Sequence, residues 1–159
     1  MIIRHVLESD VIKAPHDLRE QMFKLENAML ESGAKYGDQD FCPLRHSFAD
    51  GCYVREIFNP KGALIVTKIH KVAHPFFLLK GDMSILTEEG VVRIKAPFYG
   101  ITPAGTKRVI YAHEDIVFVT VHVTDETDLE KIEGQIIAKS FDELPRPEEV
   151  EALVGSKEV

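Results

Sequence analysis

Between Cys52 and Val123 the chain alternates short β-rich runs with turn residues at near-regular spacing, and this rhythm restricts the fold more than any other feature. The runs are 52–58 (CYVREIF), 63–70 (ALIVTKIH), 75–79 (PFFLL), 82–87 (DMSILT), 91–95 (VVRIK), 98–102, 107–112 and 116–123 (IVFVTVHV). Asn59-Pro60-Lys61-Gly62, Lys80-Gly81, Glu88-Glu89-Gly90, Pro103-Ala104-Gly105 and His113-Glu114-Asp115 lie between them and supply Gly, Pro or a polar hairpin pair. Runs this short, with no helical stretch between them, predict an antiparallel sandwich or barrel rather than a βαβ fold.

Helical signals flank this region. Leu18, Met22, Leu25 and Met29 recur at spacings of four, three and four, which predicts an amphipathic helix over 17–31. Asp17 with Glu20 resembles a capping box, and Pro15 stands just before it. A second helix is expected over 124–139, with Leu129, Ile132 and Ile136 on one side and an acidic first turn. The closing ELPRPEEVEALVGSKEV reads as a short helix or a loose tail. The 159 residues are therefore expected to form one domain: a helical N-terminal extension over 1–51, a barrel over 52–123, and a C-terminal helix and tail over 124–159.

Charge and motifs narrow the function. With 26 acidic and 19 basic residues the formal charge is −7, which argues against a diffuse footprint for duplex nucleic acid but leaves room for a local basic pocket. Cys42 and Cys52 are ten apart and in no CxxC pair, so they read as reduced thiols of a cytoplasmic protein. His5, Glu8 and Asp10 interrupt the N-terminus, and no run reaches the ~18 apolar residues of a spanning helix, so neither leader nor membrane partner is expected. P-loop, GxGxxG, GxSxG and HExxH motifs are absent.

One segment has informative spacing: Gly62, five residues, Lys68-Ile69-His70, three residues, His74, six residues, Gly81. It resembles the first motif of the cupin superfamily, Gly, five residues, His-x-His, three or four residues, Glu, six residues, Gly, with Lys68 for the first His and His74 for the Glu. Pro103-Ala104-Gly105 followed by Arg108 and Ala112 is similar to the second motif, with Arg108 at the histidine position, Ala112 at the asparagine and Pro97 where an upstream Gly belongs. The text around these positions also looks like small cupin-like proteins of tailed bacteriophages and bacteria. The resemblance implies an all-β cupin-type double-stranded β-helix, a jelly-roll barrel with flanking N- and C-terminal helices, and pairing as a homodimer.

Within such a barrel, alternation puts Lys68 and His70 on one face of a continuous strand, with His74 near the start of the next. Arg108, just past the Pro-x-Gly turn, would enter the same hollow if the barrel closes as in cupins. Lysine and arginine offer no lone pair to a metal, so Lys68 and Arg108 argue against a tight metal centre and for a receptor of a small carboxylate or phosphate anion. His70 and His74 are the candidate general bases or hydrogen-bond donors, with Tyr53, Tyr99 and Tyr111 as available phenols and Tyr111 carried as a catalytic candidate. The alternatives are a weakly held divalent metal on His70 and His74, aided by Glu56 or His122, serving a lyase, isomerase or dioxygenase, and a barrel that only displays an interaction surface. Inert, hydrogen-bonded histidines at the barrel mouth, and an ion pair of Arg108 with Glu56 or Asp115, are the structural readings of the same residues.

Overall fold

Tight turns decide where the sheets begin and end. In the computed structural model, which describes residues 12–13 and 18–144, glycines 62, 81, 90 and 105 all take positive φ at strand ends or in the turns between strands. The elements in order are β1 (Ile12–Lys13), α1 (Leu18–Glu31), β2 (Leu44–Ala49), β3 (Cys52–Asn59), β4 (Leu64–Val66), β5 (Ile69–His70), β6 (His74–Lys80) and β7 (Asp82–Thr87). They continue as β8 (Gly90–Lys95), β9 (Phe98–Thr102), β10 (Val109–Ala112), β11 (Ile116–Val123), α2 (Leu129–Ile136) and β12 (Ile137–Ala138). The capping pair at Asp17, Pro15, His5, His16, the N-terminal segment and the tail from 145 lie outside the described residues.

All pairings are antiparallel, in two five-stranded sheets of order β1-β8-β7-β10-β4 and β2-β3-β11-β6-β9, with a small β12-β5 ribbon. The main core draws on both large sheets: Met83, Ile85, Ile94, Ile110 and Ala112 from the first meet Phe76, Leu78, Phe98, Ile116 and Phe118 from the second. Helix α1 lays Met22, Leu25 and Met29 on Val66 and Val109 of the first sheet, as its apolar stripe requires. Helix α2 packs Ile132 and Ile136 on Tyr53. No helix among the described residues is long and apolar enough to cross a membrane.

Three differences from the sequence reading have local causes. Residues 44–49, placed in a helical extension, form β2 and complete a hairpin with β3 from Leu44↔Ile57 to Ala49↔Cys52; the apolar side of the alternation there is interrupted by His46, half-buried between Leu44 and Phe48 on an edge strand. The single run 63–70 divides at Thr67-Lys68, because the chain changes partner: β4 pairs with β10, while β5 pairs with β12. Thr67 holds the break, accepting from the Arg108 amide at Oγ1 (2.9 Å) and from Lys107 Nζ at its carbonyl (3.0 Å). The second helix starts five residues late, where Asp128 caps the amides of Glu130 and Lys131, and stops at Ile136 because Ile137 and Ala138 join β5.

Glu26, within the apolar stripe of α1, is the element the stripe concealed. It is buried and pairs at 2.7 Å with Lys107, whose side chain is 3% exposed and whose ammonium also lies over the Phe23 ring. Tyr36 donates to the same carboxylate. These contacts tie α1 and the following loop to the first sheet at a point where apolar packing alone would leave two charges stranded.

Two stability predictions follow from this packing. A Cβ on Gly81 would overlap the Asp115 carbonyl oxygen in a positive-φ backbone, whereas Gly37 has positive φ and open space. In chemical denaturation Gly81→Ala should cost about 2–4 kcal/mol and Gly37→Ala about 1 kcal/mol; equal losses would contradict the packing described. Glu26→Gln should destabilise by about 2–4 kcal/mol by stranding the Lys107 ammonium, and Glu26→Leu combined with Lys107→Met should recover most of that loss.

Candidate functional site

A cavity of about 550 Å³ opens between the sheets under α1, the loop that follows it and α2. Its floor comes from inward positions of β3 and β11, which alternate across the sheet: Tyr53, Arg55 and Ile57 line it with Thr120 and Phe118, while His122, opposite Tyr53, stands behind the lining. Arg108 and Thr67 enter from the irregular segments beside β10 and β4, and His70 from β5. Pairing of Ile137 with His70, and donation by the Lys71 amide to the Ile136 carbonyl at 2.7 Å, fix the backbone that carries the imidazole.

Arg108 is buried, with its guanidinium carbon 5.4 Å from the Phe76 ring centroid and 5.5 Å from that of Phe118. Burial pulls its pKa down to about 10, so it remains a cation at neutral pH. Neither Arg108 nor Arg55 has a carboxylate partner among the described residues, and the Nε of each is buried without a hydrogen-bond acceptor. Unanswered guanidinium N–H groups facing a hollow are the site's main electrostatic feature.

Beside them three imidazoles cluster. The ring centroids of His70 and His74 are 4.5 Å apart, those of His74 and His122 4.4 Å, and those of His70 and His122 6.1 Å. Tyr53 stacks on His122 and exchanges a 2.8 Å hydrogen bond with His46 Nδ1. His74 Nδ1 lies 3.1 Å from the Val72 carbonyl, the geometry of a donor, while its Nε2 and His70 Nδ1 are buried and unpartnered. Burial, then His74, Arg108, His122 and Arg55, hold the His70 pKa down to about 2. Burial, then His74 and Arg55, bring His122 down to about 4, and burial with Arg108 lowers His74 against the opposing bond to Val72. All three rings are therefore neutral at pH 7.

The four residues singled out by spacing are distributed as follows. His70 and Arg108 share the cavity wall, and His74 stands against His70 but behind the lining. Lys68 reaches the rim, where it pairs with Glu133 and lies over the Tyr36 ring, because the break at Thr67 ends the strand alternation that would have aligned it with His70. Tyr111 does not line the cavity; it is 43% exposed and meets His113 edge-on. Glu56 pairs with Arg45 at 3.5 Å, on the face of β3 opposite to Arg55, and Asp115 accepts from the Lys61 amide, so neither answers Arg108. Arg55, His122 and Tyr53 join the site only through the β3-β11 pairing. Their period-two spacing on two apolar strands was the available signal.

The donor set does not fit a mononuclear metal centre of the kind the fold resemblance implies. Among the described residues no group of three or more His, Cys, Asp or Glu is arranged to hold an ion, and two guanidiniums beside the imidazoles oppose a second cation. What the arrangement suits is an anion against Arg55 and Arg108, with a neutral imidazole alongside it.

No protein-family model and no curated protein sequence matches the chain. Among solved structures, a conserved protein of unknown function from Streptococcus pyogenes is 21% identical over 59% of this chain and 90% of that one, with a TM-score of 0.46. A cupin superfamily protein from Desulfitobacterium hafniense is 11% identical over 60% of this chain and 88% of its own, with a TM-score of 0.47. Salicylate 1,2-dioxygenase from Pseudoaminobacter salicylatoxidans superimposes at a TM-score of 0.52 and 6% identity over 77% of this chain. The chain spans only 37% of that enzyme's length, so the likeness speaks to architecture alone. Taken with the two antiparallel sheets and the helices that flank them, it shows that this chain has the cupin fold.

Proposed function

We propose that this protein binds a small anionic molecule, a carboxylate or phosphate, in its barrel, with Arg55 and Arg108 as the receptor. The observation that carries the reading is the pair of buried, unpartnered Nε atoms at the wall of an open cavity. An unpaired guanidinium in low dielectric costs several kcal/mol, and an anion bound in a fork of N–H donors offsets that cost. Lys68, paired with Glu133 at the rim, adds no net charge to the receptor.

His70 is the group placed for chemistry on a bound anion. Burial, then His74, and only after them Arg108, His122 and Arg55 suppress its basicity; an anion between the guanidiniums relieves their part of that suppression and leaves the ring a neutral hydrogen-bonding neighbour of the ligand. A metal-dependent lyase, isomerase or dioxygenase built on His70 and His74 is the competing reading, and the neighbouring Arg108 charge weighs against it.

Thermal-shift and calorimetric titration with acetate, pyruvate and inorganic phosphate test the receptor. Arg108→Met should raise the stability of the ligand-free protein by about 1–3 kcal/mol while abolishing anion-induced stabilisation. Lys68→Ala should change affinity by no more than about threefold. Unchanged anion binding in Arg108→Met would overturn the proposal.

Neutral imidazoles also set a pH signature. Their folded pKa values lie below the ordinary value of 6.5, so the unfolded chain takes up protons that the folded one does not. Stability is full above about pH 6.5 and falls on acidification toward the folded values, by up to about 1.4 kcal/mol per pH unit for each ring. Denaturation midpoints between pH 7.5 and 5 should show a shallower decline for His122→Asn, by about one linked proton. Parallel slopes for the two proteins would mean that His122 is not held neutral.

A further inference from the structure

The cations around the cavity are not equally available. Lys68 is held by Glu133, and Lys107, just behind the wall, is held by Glu26. Glu26, Asp38 and Glu133 themselves line the cavity. A polyanion such as a nucleoside diphosphate would meet those carboxylates as soon as it extended beyond the two arginines. The N-terminus of α2, whose Leu129 also lines the cavity, is occupied by the Asp128 carboxylate, so its amides are not free for a second phosphate.

Beyond Arg55 and Arg108 the walls change character. Ile57, Ile65, Ile110, Ile116 and Phe118 form one continuous side of the hollow, contributed by β3, the strands around β4 and β10, and β11. None of these side chains offers a hydrogen bond, so a sugar or a second charged group placed against them would lose its water without replacement. An apolar chain there gains from leaving water. A volume of about 550 Å³ holds a head group and roughly eight to twelve carbons at ordinary packing.

From this division we infer that the ligand is an apolar-bodied monocarboxylic acid, its carboxylate shared between Arg55 and Arg108 and its hydrocarbon body against the Ile57, Ile110 and Ile116 wall. The inference rests on the anion reading above and specifies its ligand class. One carboxylate has two oxygens with two lone pairs each, enough for both guanidiniums, and brings no further charge toward the acidic side chains. His70 then faces the carbons nearest the carboxylate, so any turnover would begin there rather than along the chain.

The test is calorimetric titration of the full chain with straight-chain carboxylates from butanoate to dodecanoate below their micellar concentrations, alongside inorganic phosphate and uridine diphosphate. Affinity should rise about threefold to fourfold per added methylene and level off between eight and twelve carbons. Narrowing the apolar wall by Ile110→Phe, or separately Ile65→Phe, should bring the plateau about two carbons earlier. Carboxylate affinity independent of length, or uridine diphosphate binding more tightly than every acid, would overturn this inference and leave the anion receptor standing. Carboxylates and phosphate that all fail to bind, or acids that bind equally to Arg108→Met, would overturn both.

Discussion

A guanidinium kept charged inside the barrel, with no carboxylate among the described residues to answer it, is the constraint around which this structure is arranged. Arg108 lies over Phe76 and Phe118, which soften the cost of burial through their ring faces but supply no hydrogen-bond acceptor for its Nε. Burial first, and this charge after it, keep the His70 and His74 rings neutral beside it. A protein that needed only a stable core would fill this space with aliphatic side chains, as it does between Leu78, Met83 and Ile94 a few residues away.

Elsewhere the fold treats charge conventionally. The buried Asp82 carboxylate takes both ends of the Arg93 guanidinium, at 2.9 and 3.0 Å, and Lys107 takes Glu26. Lys71 and Lys68 have acidic partners on the C-terminal segment and on α2. Among the described residues, Arg55 and Arg108 are thus the buried or half-buried cations whose charge no carboxylate meets. Because the same chain pairs its other described interior charges, the exception is what supports the proposed anion site.

Much of the architecture was legible in the sequence because it rests on local signals. The strands 82–87, 98–102 and 116–123 carry their own turn residues at each end, and the Leu18, Met22, Leu25, Met29 stripe identifies a helix without reference to anything it packs on. The divided strand at Thr67 was not legible, since the division depends on the Lys107 and Arg108 contacts with Thr67 from forty residues away. Candidate-site residues separate along the same line. His70 and Arg108 sit in the motif spacings, and Tyr53 and His122 are named from the sequence as a phenol and an auxiliary ligand, whereas Arg55 enters only through cross-strand register, and Glu26 is a charged residue inside an apolar helix face whose meaning depends on Lys107. Lys68 was misaligned by the assumption of an unbroken strand.

The most direct test of the central claim is to watch the arginine side chains themselves. In nitrogen-15 correlation spectra, the Nε–H resonances of Arg55 and Arg108 should be protected from exchange and should shift together, saturably, as a monocarboxylate is added. Resonances that stay in place, or that drift without saturation as they would with rising ionic strength, would contradict the account.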